Sequence, residues 1–454
     1  PGVTIQEKTG AGASTPLIRV LANNCTIFGN KKMGVLDGNG SNVGSNQSII
    51  NCGGYSNCIV SETTIQNSNF YGVLVSNSNN FSLTRNLIQK CPFFDFWATT
   101  SGSVTMTGLS IVENTVDRTA LGCAVSQAGI NVVAISPGLI LQPKIINNTV
   151  YATEGCGSPN AEVQIQLNYC SEAIVHGNHT YGGTMGLSVE SSCNDSIFSS
   201  NSFNGAVTCG IELSGGKNNI IHSNKIYGNG FSMYGIWLDG VDTGSQIENN
   251  NIYNYLNNAI FSNGVTGVCF VGNNFENEAG PYLSNGYYFS NSSVFNITGG
   301  VLDALGTTNA AYALVLNKVS QASFSNMTFT NWPNHNGGIQ FFGSNPVTID
   351  NLSFQQIKCI NCGATPIVNN LSGGAVLGNN ISFQGCTSLF KANGNALKID
   401  CLDYLSGVFN FVTSASPNGS VTAGIGSTAQ NESGGVSTTF WVRESATPSV
   451  WTAK

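Results

Sequence analysis

Hydrophobic and polar residues alternate in short segments along most of this chain, and the segments return every two dozen residues or so. Four consecutive copies show this most clearly, and each contains two segments, the second with an Asn near its end. The copies are Gly186–Glu190 with Ile197–Phe203, Gly210–Leu213 with Ile221–Ile226, Gly235–Asp239 with Ile247–Ile252, and Ala259–Asn263 with Cys269–Phe275. A regular spacing of this kind is typical of solenoid proteins.

Alternation over a few residues, bounded by Gly, Asn and Ser, predicts short β-strands. Strands of this length cannot bury an apolar face alone, but stacked copies bury a continuous core. The pattern therefore predicts an all-β protein, a right-handed, single-stranded parallel β-helix.

The same pattern extends on both sides of the central block and divides the chain into three parts. We predict a lead-in with the first coil over residues 1–45 and the body of the β-helix over residues 46–400. From about Cys401 the spacing is lost, and residues 401–454 are predicted to form a small β-rich C-terminal module.

Composition supports a β-helix and argues against several other classes. Only 9% of the 454 residues are charged, against about a quarter in average proteins. Strand edges covered by the next coil and turns of Gly, Asn and Ser account for this. The net charge of -7 without a basic cluster predicts no nucleic-acid partner. No apolar run approaches the roughly 18–20 residues of a membrane span, so no membrane insertion is expected.

The fourteen cysteines admit two interpretations. They recur about once per copy, at Cys156, Cys170, Cys193 and Cys209, which suits small buried side chains stacked inside a coil. In a secreted chain the same residues could form disulfides. Cys359 and Cys362 form a lone CxxC with no second pair, so no metal is predicted. No cofactor is expected either.

The last thirty residues carry the most specific motif. The sequence contains Gly424–Ser427, Asn431–Gly435, Thr438–Thr439, Trp441–Ser445 and Trp451–Lys454. This arrangement resembles the C-terminal module of bacteriophage tail fibres and tailspikes, which follows β-helical bodies. Arg443 stands where Lys is usual and Phe440 where an aliphatic residue or Tyr is usual.

The resemblance implies a homotrimeric tailspike of capsular polysaccharide depolymerase type, located in the extracellular virion tail. Such proteins bind, and commonly cleave, a bacterial capsular or O-antigen polysaccharide. They attach to the phage tail through an N-terminal domain, and we expect this sequence to be the receptor-binding part without that domain.

The alternation also separates inward from outward positions in the central block. Leu187, Val189, Ile211, Leu213, Ile236 and Leu238 are predicted to point inward. The outward column then contains Gln166, Ser188, Glu212, Trp237, Phe261 and Tyr288. Aromatic rings, amides and a carboxylate in consecutive coils are typical of a sugar-binding groove. In the alternative interpretation, the three rings only stack on each other, or lie under a loop or against another subunit.

Carboxylates at this face are the candidate catalytic groups. Strand and coil spacing place Glu212 about 8 Å from Asp239, compatible with the roughly 6.5–9.5 Å of an inverting glycosidase. One acid would protonate the glycosidic oxygen and the other would activate water. Glu190 is the alternate member of the pair. The alternative is that these acids only solvate the sheet.

A second outward column contains His176, Ser199, His222 and Glu248. A pair of His222 and Glu248 in adjacent coils could bind substrate or abstract a proton in a lyase. More often such a pair is a surface ion pair of little energetic value.

Three functions remain open on the sequence. The first is a depolymerase, with glycoside hydrolysis favoured over elimination by a lyase. The second is a tail-fibre tip that holds its glycan without cleaving it. The third is a secreted microbial polysaccharide-active protein unrelated to phage. No nucleotide-binding, α/β-hydrolase or zinc-protease motif occurs.

Overall fold

The computed structural model describes most of the first 304 residues and shorter segments beyond them. The described residues are 4–6, 16–29, 34–38, 48–124, 128–154, 162–230, 232–240, 243–277, 285–304, 312–332, 339–344, 350–355, 357–360, 367–372, 382–384, 390–392, 410–413, 428–431, 440–442 and 452–453.

One coil of the chain consists of three strands and shows how the rest is built. In the centre of the chain these strands are Met185–Glu190, Ile197–Ser199 and Ser202–Asn204, after which the next coil begins at Cys209. Each strand pairs in parallel with the equivalent strand of the next coil, residue for residue. The molecule is an all-β right-handed parallel β-helix, which confirms the fold predicted from the repeat.

The chain divides into two compact units, residues 1–237 and 238–454. In the first unit, the first sheet contains the long strands Ile18–Val20, Ser48–Gly53, Tyr71–Ser76, Phe94–Thr100, Ile130–Ala134, Val163–Asn168, Met185–Glu190 and Cys209–Ser214. The second sheet contains Thr26–Phe28, Ile59–Ser61, Ser82–Thr84, Ser110–Val112, Lys144–Ile146, Ile174–His176, Ile197–Ser199 and Ile220–His222. The third sheet contains Thr4–Gln6, Val35–Asp37, Thr64–Gln66, Leu87–Gln89, Thr115–Asp117, Thr149–Tyr151, His179–Tyr181, Ser202–Asn204 and Lys225–Tyr227. A small extra sheet contains Thr105–Thr107, Leu139–Leu141 and Cys170–Ser171, and one 3-10 helix spans Thr119–Ala124.

The chain passes into the second unit within the strand Tyr234–Asp239. The first-sheet strands of the second unit are Asn258–Asn263, Asn285–Ser290, Leu314–Asn317, Ile339–Ser344, Ile367–Ser372, Phe390–Ala392, Asn410–Thr413, Thr428–Asn431, Phe440–Val442 and Thr452–Ala453. The second-sheet strands are Gln246–Glu248, Cys269–Val271, Ser293–Thr298, Ser320–Ser325, Asp350–Gln355 and Ser382–Gln384. The third-sheet strands are Asn251–Tyr253, Asn274–Glu276, Val301–Asp303, Thr328–Thr330 and Lys358–Ile360.

The core lies inside the coils, where alternate strand residues point. All six predicted inward side chains are buried: Leu187, Val189, Ile211, Leu213, Ile236 and Leu238. In the second unit the interior becomes aromatic, and the rings of Phe289 and Phe295 stack at 4.4 Å. Each coil therefore contributes a layer of apolar side chains, and burying that layer requires the coils above and below.

A column of buried asparagines runs through the turn between the second and third sheets. In the first unit its members are Asn86, Asn114, Asn148, Asn178, Asn201 and Asn224. From Asn114 onward, the side-chain oxygen of each residue accepts a hydrogen bond from the backbone N–H of the member one coil earlier, at 2.9–3.0 Å, and that of Asn86 accepts from the backbone N–H of Thr63. Each side-chain amide donates to a backbone carbonyl of the preceding coil. These bonds satisfy backbone groups that the sharp turn would otherwise leave unpaired inside the protein.

The residue before each ladder asparagine has a left-handed backbone conformation. These residues are Arg85, Glu113, Asn147, Gly177, Ser200 and Ser223, with φ between 54° and 65°. This conformation turns the chain so that the following Asn points inward, while the preceding side chain faces solvent. The turn therefore depends on the buried Asn, since residues other than glycine rarely adopt this conformation without support.

Eight cysteines are free thiols among those whose side chains the structure describes. Six of them are buried, namely Cys52, Cys58, Cys91, Cys170, Cys193 and Cys209, and two are partly exposed, Cys25 and Cys269. For the six buried residues the buried-thiol interpretation is confirmed. Cys156 and Cys362 lie outside the described residues.

The C-terminal segments pair differently from the coils. Thr428–Asn431 pairs antiparallel with Phe440–Val442, which pairs antiparallel with Thr452–Ala453. The remaining residues of the C-terminal motif lie outside the described residues, so a separate module and its trimeric assembly stay predictions. Within the part of the chain that the structure describes, no helix is long and apolar enough to cross a membrane.

We expect truncation of one ladder residue to destabilise the whole β-helix. Asn178 is fully buried, and its replacement in Asn178→Ala leaves donors and acceptors of the two neighbouring coils unpaired. The expected loss is about 3 kcal/mol of unfolding free energy, measured by guanidinium unfolding. The control Asn296→Ala removes an exposed residue that accepts one bond from Ser323 and should change stability by less than about 1 kcal/mol. Equal effects of the two substitutions would contradict the role of the ladder.

Candidate functional site

The outward face of the first sheet carries a continuous row of polar and aromatic side chains. Strand register in the first unit places Asn51, Leu74, Trp97, Asn131, Gln166, Ser188 and Glu212 next to one another in successive coils. We call this series, with Trp237 added below, the outward row. It contains the three consecutive positions that the sequence places in one column, Gln166, Ser188 and Glu212.

Trp237 extends the outward row by one coil. The backbone N–H of Tyr234 donates to the carbonyl of Thr208 at 2.9 Å, which places Tyr234 opposite Cys209. Carried three residues along the strand, this register places Trp237 opposite Glu212. The ring of Trp237 lies 5.6 Å from that of Tyr234, and no hydrogen-bond partner is present for its indole N–H.

A group of hydrogen-bonded side chains surrounds Glu190, which lies two residues beyond Ser188 on the same face. The amide nitrogen of Gln166 donates to Glu190 Oε1 at 3.0 Å, and that of Asn168 lies 3.4 Å from Oε2. The Ser188 hydroxyl lies 3.1 Å from Oε1. Three donors on three strand positions therefore hold one carboxylate in a fixed orientation.

The Ser188 hydroxyl also contacts a second carboxylate. Its oxygen lies 2.7 Å from Glu212 Oε2, so the hydroxyl stands between Glu190 and Glu212 and is itself fully buried. The two contacts limit the distance between Glu190 Oε1 and Glu212 Oε2 to at most 5.8 Å. A hydroxyl has one proton, so it can donate to only one of the two acids at a time. A proton on one carboxyl group would complete the second hydrogen bond.

An aromatic cluster flanks the opposite end of the outward row. It is formed by Phe70, Tyr71, Phe93, Phe94 and Trp97. The rings of Phe70 and Phe93 stack at 4.1 Å, and the ring of Trp97 lies 4.9 Å from that of Tyr71. Phe70, Phe93 and Trp97 are only half-buried. The face therefore combines aromatic surface at both ends with amides and carboxylates between them.

The remaining predicted site residues lie in the second unit. Phe261 and Tyr288 face each other on adjacent coils, with ring centres 5.4 Å apart, as the repeat predicts. Asp239 follows Trp237 by two residues, and its pairing with Glu212 stays a prediction because the two acids belong to different units.

The histidine column is only partly defined. His176 Nδ1 lies 2.9 Å from Ser199 Oγ, and the register continues from Ser199 to His222 as predicted. His222 Nδ1 lies 3.3 Å from the hydroxyl of Ser223. Glu248 is in the second unit, so its pairing with His222 stays a prediction.

A buried ionic group beneath this sheet was missed by the sequence analysis. Arg118 is completely buried and pairs with Asp95 and Glu162, the latter at 2.7 Å. Arg118 Nη1 also donates to the carbonyl of Ala128 at 3.2 Å. Asp95, Ala128 and Glu162 lie at or just before the start of three successive first-sheet strands. One guanidinium therefore joins three neighbouring coils. The same coils carry Trp97, Asn131 and Gln166 of the outward row.

The repeat itself contains the signal for this group. One position at the start of the first-sheet strands is glycine in most coils, namely Gly72, Gly129, Gly186, Gly210, Gly235 and Gly286. At most of these positions an added Cβ would collide with the neighbouring coil or with side chains of the interior. Register places Asp95 and Gln164 at the equivalent position of two coils. A polar side chain at a glycine position inside the coil requires a buried partner.

Burial dominates the ionisation of this group. It raises the pKa of Asp95 to about 7, although the neighbouring Arg118 acts in the opposite direction. The pKa of Glu162 is raised for the same reason. The thiol of Cys91 lies beside Asp95, and burial raises its pKa as well. All three charged residues are shielded from solvent, so they are excluded from contact with a polymer and serve the structure beneath the outward row.

Among the described residues, no group of three or more His, Cys, Asp or Glu side chains is arranged to hold a metal ion. The outward row and the column beside it offer carboxylates, amides, hydroxyls and aromatic rings.

Comparison with known proteins gives the fold. A family model described as right-handed β-helix region matches residues 22–226. A search of curated protein sequences found no match.

Solved structures with a similar backbone include the catalytic unit of a GH87 α-1,3-glucanase from Streptomyces thermodiastaticus. It is 13% identical in sequence, the match covers 69% of this chain and 64% of that chain, and the TM-score is 0.42. The chain thus spans less than two-thirds of that catalytic unit. The A-module of a mannuronan C-5 epimerase from Azotobacter vinelandii is 12% identical over 82% of this chain and 91% of that chain, with a TM-score of 0.39. A surface protein and adhesin from Streptococcus pneumoniae is 11% identical over 67% of this chain and 91% of that chain, with a TM-score of 0.28. Similarity at this level concerns the coiled backbone and does not bear on the activity of this chain.

The ionisation of Asp95 predicts a specific dependence of stability on pH. Because its pKa of about 7 in the folded protein exceeds the ordinary value of 3.8, the folded state binds the proton more tightly than the unfolded state. The associated stability is fully present below pH 4 and is lost as the pH rises to 7, by at most about 4 kcal/mol. Asp95→Asn should therefore gain stability relative to the wild type across this range, measured as the difference in melting temperature at each pH. A variant that instead loses relative stability as the pH rises would mean that the ionised Asp95 stabilises the fold.

Proposed function

We propose that this protein binds an extended bacterial surface polysaccharide along the outward row and cleaves it by glycosidic hydrolysis. The observation that carries the proposal is the pair of half-buried carboxylates, Glu190 and Glu212, which share the Ser188 hydroxyl within 5.8 Å. Two acids at such a distance, beside amides and aromatic rings on one face, are what hydrolysis of a glycosidic bond requires.

The surroundings of the two acids support different roles. Glu190 accepts hydrogen bonds from Gln166, Asn168 and Ser188, an environment that suits an ionised carboxylate acting as nucleophile or base. Glu212 lies opposite Trp237 in strand register and contacts the Ser188 hydroxyl, which suits a group that gives its proton to the leaving oxygen.

The separation of the acids bears on stereochemistry. Retaining glycosidases hold their carboxyl groups about 5–5.5 Å apart and inverting enzymes hold them about 6.5–9.5 Å apart. The upper limit of 5.8 Å for Glu190 and Glu212 is compatible with the retaining distance, whereas a pair of Glu212 and Asp239 would fit the inverting distance estimated from strand spacing.

The biological setting follows from the C-terminal motif. We propose a tailspike of capsular or O-antigen type, trimeric and located in the extracellular part of a phage tail, with Trp441 and the surrounding motif residues supporting this assignment. A trimer in sedimentation equilibrium at micromolar concentration is expected, and a monomer would remove this part of the proposal.

Substitution of the two acids tests the catalytic proposal. Glu190→Gln and Glu212→Gln should each slow depolymerisation of the host polysaccharide by at least about 100-fold, measured by size-exclusion chromatography over time. The matched control is Glu172→Gln, which alters an exposed acid held by Gln142 on a turn of the same unit and should leave the rate unchanged. Full activity in both site variants would move the site elsewhere. Cleavage lost in Glu212→Gln and in Asp239→Asn but kept in Glu190→Gln would favour the inverting pair.

The anomeric configuration of the first product separates the two pairs of acids. If Glu190 and Glu212 act together, proton NMR in the first minutes should show the configuration of the substrate retained in the new reducing end. Inversion would assign the reaction to Glu212 and Asp239. An unsaturated sugar, detected by the ultraviolet absorbance of its conjugated double bond, would indicate elimination instead.

A non-catalytic adhesin is the second candidate, because the hydrogen-bonded carboxylates also suit recognition of sugar hydroxyls. Tight binding of a host polysaccharide that stays intact on prolonged incubation would establish that function in place of hydrolysis.

A further inference from the structure

The outward row and the column two residues further along its strands have buried polar atoms without partners at Trp97, Asn131 and Asn168. The indole N–H of Trp97, the side-chain oxygen of Asn131 and that of Asn168 are buried and make no hydrogen bond in the structure. Only 3% of the Asn131 side chain is exposed. Buried polar atoms are normally paired, so unpaired atoms on neighbouring coils of one face indicate where a ligand supplies the missing partners.

Apolar surface of the kind that sugar rings contact lies at the same place. Trp97 is part of the aromatic cluster, in which Phe70 and Phe93 are also half-buried. A pyranose ring presents C–H groups on its faces and hydroxyls at its edge. An aromatic ring beside unpaired N–H and C=O groups matches both features of the sugar.

The charge of this face limits the kind of sugar. The outward row from Asn51 to Trp237 contains no Lys, Arg or His. A parallel column lies two residues further along the same strands and contains Gly53, Ser76, Thr99, Val133, Asn168, Glu190 and Ser214. This column has no Lys, Arg or His either. The only charges on these two columns are the carboxylates of Glu190 and Glu212. Arg19 lies opposite Asn51, three coils before Trp97 and outside the stretch from Trp97 to Trp237. A uronic or sialic acid within that stretch would therefore meet like charge and no neutralising partner.

These contacts and charges indicate a second binding position, separate from the cleavage site. Resting on the proposed function, we propose that Trp97, Asn131 and Asn168 form a distal subsite for an uncharged sugar segment. Trp97 lies four coils from Glu212, or about 19 Å. The subsite therefore binds sugars several residues away from the bond that is cut, and the polymer is held before cleavage along the length of the outward row.

Binding measured without cleavage tests this subsite. The parent protein is the Glu212→Gln variant, and the probe is an array of capsular and O-antigen oligosaccharides that includes neutral members and members with uronic or sialic acid in each repeat. The parent should bind neutral members, and affinity for the best of them, measured by calorimetry, should change less than twofold between low and high salt.

Substitutions at Trp97 then locate the contact. Trp97→Ala should weaken binding of the best neutral glycan at least about tenfold, and Trp97→Phe, which keeps a ring and the packing against Tyr71, should weaken it less. The matched control is Tyr151→Ala, which removes a ring that is 39% exposed on the third sheet and should leave affinity unchanged.

The outcomes separate the subsite from the proposed function. Selective binding of uronate-rich glycans, or unchanged affinity in Trp97→Ala, would overturn the subsite even if Glu212→Gln abolishes cleavage. Neutral binding that depends on Trp97, without cleavage by the wild type, would keep the subsite and remove the hydrolase. Binding to no member of the array would overturn both.

Discussion

The whole fold depends on the pairing of each turn with the same turn of the next coil through buried asparagine side chains. One Asn per coil accepts a hydrogen bond from a backbone N–H of the preceding coil and donates to a backbone carbonyl of that same coil, as Asn148, Asn178 and Asn201 do in the centre of the chain. Coils joined in this way keep one register. That register is the reason why side chains twenty or more residues apart in sequence line up on the first sheet.

The fold could be predicted because its signal is repeated many times. Alternation gave the inward positions of Leu187, Ile211 and Leu238, and the trailing Asn marked the turn of each coil. The order of outward residues, Gln166 then Ser188 then Glu212, followed from the same register. Positions that repeat are predictable because one rule places them all.

The hydrogen bonds within the site were not predictable in the same way. Strand spacing gives backbone positions, but whether Glu190 bends toward Ser188 depends on side-chain rotamers and on the amides of the preceding coil. The buried group of Asp95, Arg118 and Glu162 was missed for another reason. Arg118 is followed by the 3-10 helix Thr119–Ala124 rather than by the turn of the repeat, so only the departure from glycine at Asp95 and Gln164 marks it in the sequence.

We propose that a glycan lies along the outward row, with a glycosidic bond at Glu190 and Glu212. The most direct test is a crystal structure of the Glu212→Gln variant with a host oligosaccharide. We expect the sugar rings to lie along the row from Trp97 toward Trp237, with a glycosidic oxygen in hydrogen-bonding distance of residue 212. An oligosaccharide on another face, such as the stacked rings of Tyr151 and Tyr181 on the third sheet, would contradict it.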